Sequence, residues 1–161
     1  MSGLARDPRA FKTAAPQLPL RPQERTALRR ARIRLRDTAW TPPEQFAAET
    51  GIPLDRCRML AALARFQSLG SVGPSLAADI WALGYRSFDD LAKANPAEMY
   101  MVFTARVGRP VDPCVEDVFR CAVAQVRDPD LPAEARNWWY WLPYRGTSVA
   151  AVPGEATPPR S

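Results

Sequence analysis

Six consecutive residues, Leu69-Gly70-Ser71-Val72-Gly73-Pro74, could do chemistry through the backbone alone. An apolar run stops at two glycines and a second helical pattern starts at once, so the first N–H groups of that second helix are left without intrahelical partners. Unpaired amides at a helix start attract anions, and a phosphate is the anion that fits them best. Glycine admits positive φ and close backbone approach, while Val72 between the small residues would anchor the turn in a core. The candidate phosphate contacts are the backbone N–H groups of Val72, Gly73 and Ser75, helped by the Ser71 and Ser75 hydroxyls.

A second source of positive charge lies upstream. Residues 1–38 hold ten Lys and Arg against three Asp and Glu, whereas residues 39–161 hold twelve against fourteen, so the two parts carry +7 and −2. Arg29, Arg30, Arg32, Arg34 and Arg36 form the densest run. Neutralising phosphates with such residues releases counterions and gives salt-dependent, sequence-independent affinity. The segment Gln23–Thr38 reads as a helix, with an extended arm as the alternative because Arg30–Arg36 alternates strictly.

Other chemistry finds little support. The chain has no histidine, no phosphate loop of the Walker kind and no metal-ligand spacing, so no catalytic residue, metal or cofactor is expected. Cys57, Cys114 and Cys121 are too few and odd in number for a disulfide framework; they read as buried, reduced thiols, with a thiol-based function as a remote third reading. Asp89-Asp90 and Glu116-Asp117 fall in the first turns of helices, where carboxylates favour the dipole. Arg120 is expected to pair with Glu116 one turn back. Trp138, Trp139, Tyr140 and Trp141 could stack on unpaired bases, but four adjacent aromatics cannot share one face, and capping of the core is the preferred reading.

The positioning elements announce themselves. Thr41-Pro42-Pro43-Glu44, Ser87-Phe88-Asp89-Asp90, Asn95-Pro96-Ala97-Glu98 and Asp112-Pro113 carry capping chemistry, and Gly51 and Gly84 stand where helices stop. Helices are expected near 42–49, 54–67, 74–83, 88–94, 96–106 and 113–127, with a final turn near 132–141 and no strand. The 47% apolar composition supports one core, and no stretch is long and apolar enough to span a bilayer, so a cytoplasmic protein with no membrane contact is expected. Prolines crowd both ends, which suits a mobile basic arm over 1–38, a folded domain over 39–142 and a disordered tail over 143–161.

Helix, glycine turn, helix, connector, helix, turn, helix is the outline of two helix-hairpin-helix units. With LGSVGPSLAADIWALGYRSFDDL, NPAEMY, DPCVEDVFRCAV and NWWYWLP in this order, residues 60–142 resemble the pathogenicity-locus family of bacterial helix-hairpin-helix proteins, some of which are labelled mitomycin-resistance proteins. The resemblance implies a compact all-α tandem helix-hairpin-helix (SAM-like) bundle and DNA binding inferred from the hairpin. Two departures bear on that. Ser71 stands at the first glycine place, and Pro74, Ser75 and Asp79 follow the turn, with no Lys or Arg before Arg86. The expectation is a non-enzymatic DNA-backbone binder, with a protein-interaction module that does not touch nucleic acid as the alternative; the oligomeric state is not legible.

Overall fold

A computed structural model describes residues 14–145, which fold into seven α-helices and three short 3₁₀ segments, with no strand among the described residues. No helix among them is long and apolar enough to cross a membrane. The helices are α1 (Pro22–Arg30), α2 (Pro43–Thr50), α3 (Leu54–Gln67), α4 (Pro74–Ala82), α5 (Phe88–Ala92), α6 (Pro96–Val107) and α7 (Cys114–Arg127); Leu35–Asp37, Ala133–Arg136 and Trp138–Tyr144 are 3₁₀.

Two helices organise the rest. In α3, Leu60, Leu63 and Phe66 alternate with Ala61, Ala62 and Ala64, and all six are buried, because the alanines let α2 and α4 approach closely. In α7 every residue from Glu116 to Val126 is buried, with α5 and α6 on one side and the segment 133–144 on another. The main core joins Phe46, Leu60, Phe66, Leu69, Val72, Ile80, Leu91, Met99, Phe119 and Val123. A second cluster gathers Cys121, Ala124, Leu131, Ala135, Trp141 and Tyr144.

The expected helix starts and stops hold with instructive exceptions. Ser87 accepts from the Asp90 N–H, Asn95 from Ala97 and Asp112 from Cys114, all by side-chain oxygens. Gly51 and Gly84 take φ of 73° and 102°, the left-handed stops their sequence positions imply. Thr41 does not cap α2: its hydroxyl donates to Asp37 O, and Pro42 holds the cap position. Asp117 does more than face a helix dipole. It is fully buried and receives the Arg145 Nε at 3.0 and 2.9 Å on its two oxygens, tying the end of the described chain to α7.

The basic segment is α-helical only through Arg30, with a single 3₁₀ turn at Leu35–Asp37. Arg32 adopts φ 56°, its N–H bonds Arg29 O, and the Ile33 N–H reaches back to Leu28 O, which is a left-handed helix stop built on an arginine where glycine is usual. Residues 1–13 of the expected mobile arm lie outside the described residues, but residues 16–38 lie on the domain. Leu18 and Leu28 join the main core. Gln17 exchanges two hydrogen bonds of 2.9 Å with the Gln67 amide, and Arg56 holds Pro19 O and Glu24, so the strap runs antiparallel along α3. Of the tail expected over 143–161, Tyr144 is buried and Arg145 is ion-paired, while residues 146–161 lie outside the described residues.

Glu24 is the pin of that strap. It is 5% exposed, accepts from Arg56 Nε at 2.8 Å and from the Arg21 N–H at 2.8 Å. The Arg56 hydrogen bond above all holds its carboxyl below the ordinary value. A group depressed in the folded state stabilises above its unfolded pKa and loses that contribution as pH falls through the folded value. Glu24→Gln should therefore cost about 2 kcal/mol in urea unfolding at neutral pH. The gap to the unsubstituted protein should close as the solution is acidified below the carboxylate range; a gap independent of pH would contradict the assignment.

Candidate functional site

The α3–α4 turn is fixed from outside by residues far away in sequence. The Gly70 N–H donates to Gln125 Oε1 at 2.8 Å, and Gln125 Nε2 donates back to Gly70 O at 3.0 Å. Gln125 itself is 2% exposed within α7. Ser71 next takes φ 67°, so the substitution at the first small position accepts a conformation that side chains rarely adopt. What holds it there is its hydroxyl, which donates to Arg136 O at 3.1 Å and accepts from the Trp138 N–H at 3.0 Å.

Two glycines of the turn consequently have opposite roles. A Cβ on Gly70 would overlap the Arg136 carbonyl and stand 2.9 Å from Arg136 Cβ, so glycine is a packing requirement there. Gly73 has φ −94° and ψ −176°, ordinary extended backbone, and a Cβ on it would meet nothing within 4 Å. No contact within the described fold calls for glycine at 73.

Gly73 is also the N-cap of α4, a nine-residue helix without a side-chain cap. Val72 is buried and its N–H is turned inward to Leu69 O at 3.3 Å. Of the contacts expected from sequence, the Ser71 proton and the Val72 N–H are thus committed internally. The hydrogen bonds among the described residues take up neither the Gly73 nor the Ser75 N–H, and Ser75 is exposed. Burial pushes the Asp79 carboxyl above its ordinary value one turn further on.

The five arginines stand elsewhere on the molecule. Arg29 and Arg30 close α1, Arg32 is the left-handed stop, and Arg34 and Arg36 flank Leu35; all five are exposed. Arg30 shares a surface recess with Glu49 and Thr50 at the end of α2. Gln17 lies beside the C-terminal end of α3, next to the turn, and Glu24 beside its other end, so the strap leads away from the turn before the arginines begin. The aromatic cluster is split: Trp141 is fully buried and donates its indole N–H to Ala135 O, whereas Trp138, hydrogen-bonded to Ser71, and Trp139 are 37% and 52% exposed.

Sequence reasoning overlooked Gln125 and Arg136, whose importance comes from contacts 55 and 65 residues away. A lone glutamine inside the buried stripe of α7 was the available signal, since a polar side chain there must find backbone partners. Arg120 does pair with Glu116, at 3.7 Å, inside the core. The thiols are unactivated. Burial raises Cys57 and Cys114 above their ordinary value and pushes Cys121 up to about 11.

Two outcomes check this geometry. Gly70→Ala should lose about 2–3 kcal/mol through overpacking, while Gly73→Ala should stay within about 0.5 kcal/mol of the unsubstituted protein, both read by denaturant unfolding. In a thiol-reagent titration of the folded protein, partly exposed Cys114 should react, with Cys57 and Cys121 following only on unfolding. Rapid labelling of Cys121 in the native state would contradict its burial.

Comparison with known proteins adds a family. No solved structure matches the chain. The mitomycin resistance protein McrB of Streptomyces lavendulae is 35% identical over 83 residues, which span 52% of this chain and 75% of that protein. The model of the pathogenicity-locus family matches residues 59–146, a stretch that starts inside α3 and takes in the turn, Gln125, Arg136 and the tryptophans. The chain therefore belongs to the pathogenicity-locus family.

Proposed function

We propose that this protein is a non-enzymatic binder of DNA that contacts the phosphate backbone without reading sequence. In this reading α3, its turn and α4 form a helix-hairpin-helix unit, α6 and α7 form a second, and the pair makes a compact SAM-like bundle. One observation carries the proposal: Gly73 has no neighbour that demands glycine, yet it stands at the uncapped start of α4. Glycine without an internal reason suits close approach of something external, and the helix start favours a negative partner.

The Gly73 and Ser75 N–H groups and the Ser75 hydroxyl then hold one phosphate. Ser71 and Val72 set the turn that presents them. Arg29, Arg30, Arg32, Arg34 and Arg36 form a separate cationic surface that meets the backbone elsewhere along the duplex. The partner is accordingly DNA, and neither a metal nor a cofactor has a part in the contact.

A protein-docking role is the second reading, favoured by a specific surface. Met101, Val102 and Val107 of α6 are 69%, 53% and 37% exposed, large apolar side chains gathered on one helix, and such side chains are what a protein partner covers.

Fluorescence anisotropy of duplex and single-stranded DNA over a salt series tests the proposal on the full chain. Removing the strap is no option, because Leu18 and Leu28 belong to the core. Gly73→Asp should weaken binding without destabilising the fold, since its Cβ meets nothing and its carboxylate caps the start of α4. Replacing the five arginines by Gln should flatten the dependence of log K on log salt by up to about 0.9 per lost contact. Absence of salt-dependent binding at low salt sinks the DNA reading, and Met101→Ser then becomes the variant to examine for loss of a protein partner.

A further inference from the structure

The groove along α3 and α4, away from their turn, is lined by three arginines that nothing so far employs. It has a volume of about 370 Å³, with Ala62 and Trp81 among its walls and Arg58, Arg65, Arg86 and Asp55 around it. Asp55, Arg58, Ala62 and Arg65 follow one another at spacings of three and four on α3, so one helix face presents them together. Trp81 and Arg86 come from the end of α4 and the turn after it, which places the C-terminal end of α4 against the middle of α3.

The charges in this groove do not balance. Arg58 is paired, with Asp55 at 3.0 Å and with Glu44 at 4.0 Å on the outer side. Arg65 has no ion pair among the described residues; its Nε donates to Ala39 O, and burial alone pulls its guanidinium below the ordinary value. The Arg86 guanidinium lies 3.8 Å over the Trp81 ring, donates to Trp81 O and Tyr85 O and makes no ion pair among the described residues, while the Arg86 backbone N–H donates to the Asp90 carboxylate at 2.9 Å. Arg65 is half-buried without an acidic partner and Arg86 stands exposed at the rim over Trp81, so the groove offers an incoming anion one partly desolvated guanidinium and one accessible guanidinium.

We propose that this groove binds a small organic phosphate of mononucleotide size. Two uncompensated guanidinium groups match a dianion better than a singly charged carboxylate, and their planar forks suit phosphate oxygens. The volume lies within the range of small-ligand sites, and the wall of Ala62 and Trp81 accepts the apolar part of the ligand. Arg58, exposed at the mouth, exchanges its surface carboxylates for the incoming phosphate. The site shares no residue with the α3–α4 turn or with Arg29–Arg36, so it stands or falls independently of the DNA reading.

Isothermal titration of the full chain with adenosine 5′-monophosphate, and with inorganic phosphate at matched ionic strength, decides it. The expected result is saturable binding of the nucleotide, weaker binding of inorganic phosphate, and at least about a tenfold loss of nucleotide affinity in Arg58→Ala and in Arg65→Met. Arg58 makes only surface ion pairs, so its variant remains folded and informative even if Arg65→Met does not. Arg29→Gln should bind the nucleotide as the unsubstituted chain does. The proposal is overturned by absence of saturable nucleotide binding at millimolar concentration, by unchanged affinity in the Arg58 variant, or by a groove whose substitutions weaken only oligonucleotide binding.

Discussion

Gln125 spans the two halves of the molecule with one side chain. Its amide satisfies both backbone groups of Gly70, so the turn between α3 and α4 is held as a strand neighbour would hold it, but by an isolated residue of α7. Because Gln125 is buried, losing either hydrogen bond leaves a polar group stranded in the core, which costs more than the bond is worth when made. The neighbouring contacts depend on that registration. Arg136 can sit against Gly70, and Ser71 can bridge Arg136 and Trp138, only while Gly70 is drawn to α7. The left-handed Ser71 is tolerated because three flanking contacts over-determine it.

What lies in local sequence was legible and what lies in distant pairing was not. The limits Leu54–Gln67 of α3 follow from a proline and a two-glycine stop, and the start of α6 follows from Asn95-Pro96, because caps act within one turn of the chain. Thr41 misleads because its hydroxyl can bond backward to Asp37 as easily as forward. Arg32 misleads for a different reason: nothing in an arginine announces positive φ, and the stop is imposed by Leu28 and Ile33 packing inward. The strap 16–38 looked like a solvated arm because its charges outnumber its anchors, yet Leu18, Leu28 and Glu24 suffice to seat it.

The candidate site divides along the same line. Gly73 and the exposed arginines were visible from residue type alone, whereas the commitment of the Ser71 hydroxyl to the segment 136–138 depends on a contact across 65 or more residues. The α3–α4 groove was invisible for the same reason. Arg58 and Arg65 on a helix face are unremarkable until Trp81 of α4 and Arg86 of the turn after it arrive to close a space around them. The acidic residues divide the same way: Asp117 reads only as a helix-start charge and is the interior partner of Arg145, whereas Glu116 pairs with Arg120 one turn away as its spacing implies.

The reach of the turn's contacts has a consequence for the order in which the chain can fold during synthesis. Helices α3 and α4 and the residues between them emerge from the ribosome well before Gln125, Arg136 and Trp138 exist outside it. Until then Gly70 has no amide to read its backbone and Ser71 has no reason to hold positive φ, so the turn that defines the first half is completed by Gln125 and residues 136–138 of the second. The turn between α3 and α4 therefore reaches its final geometry only after residues 125–138 have been made.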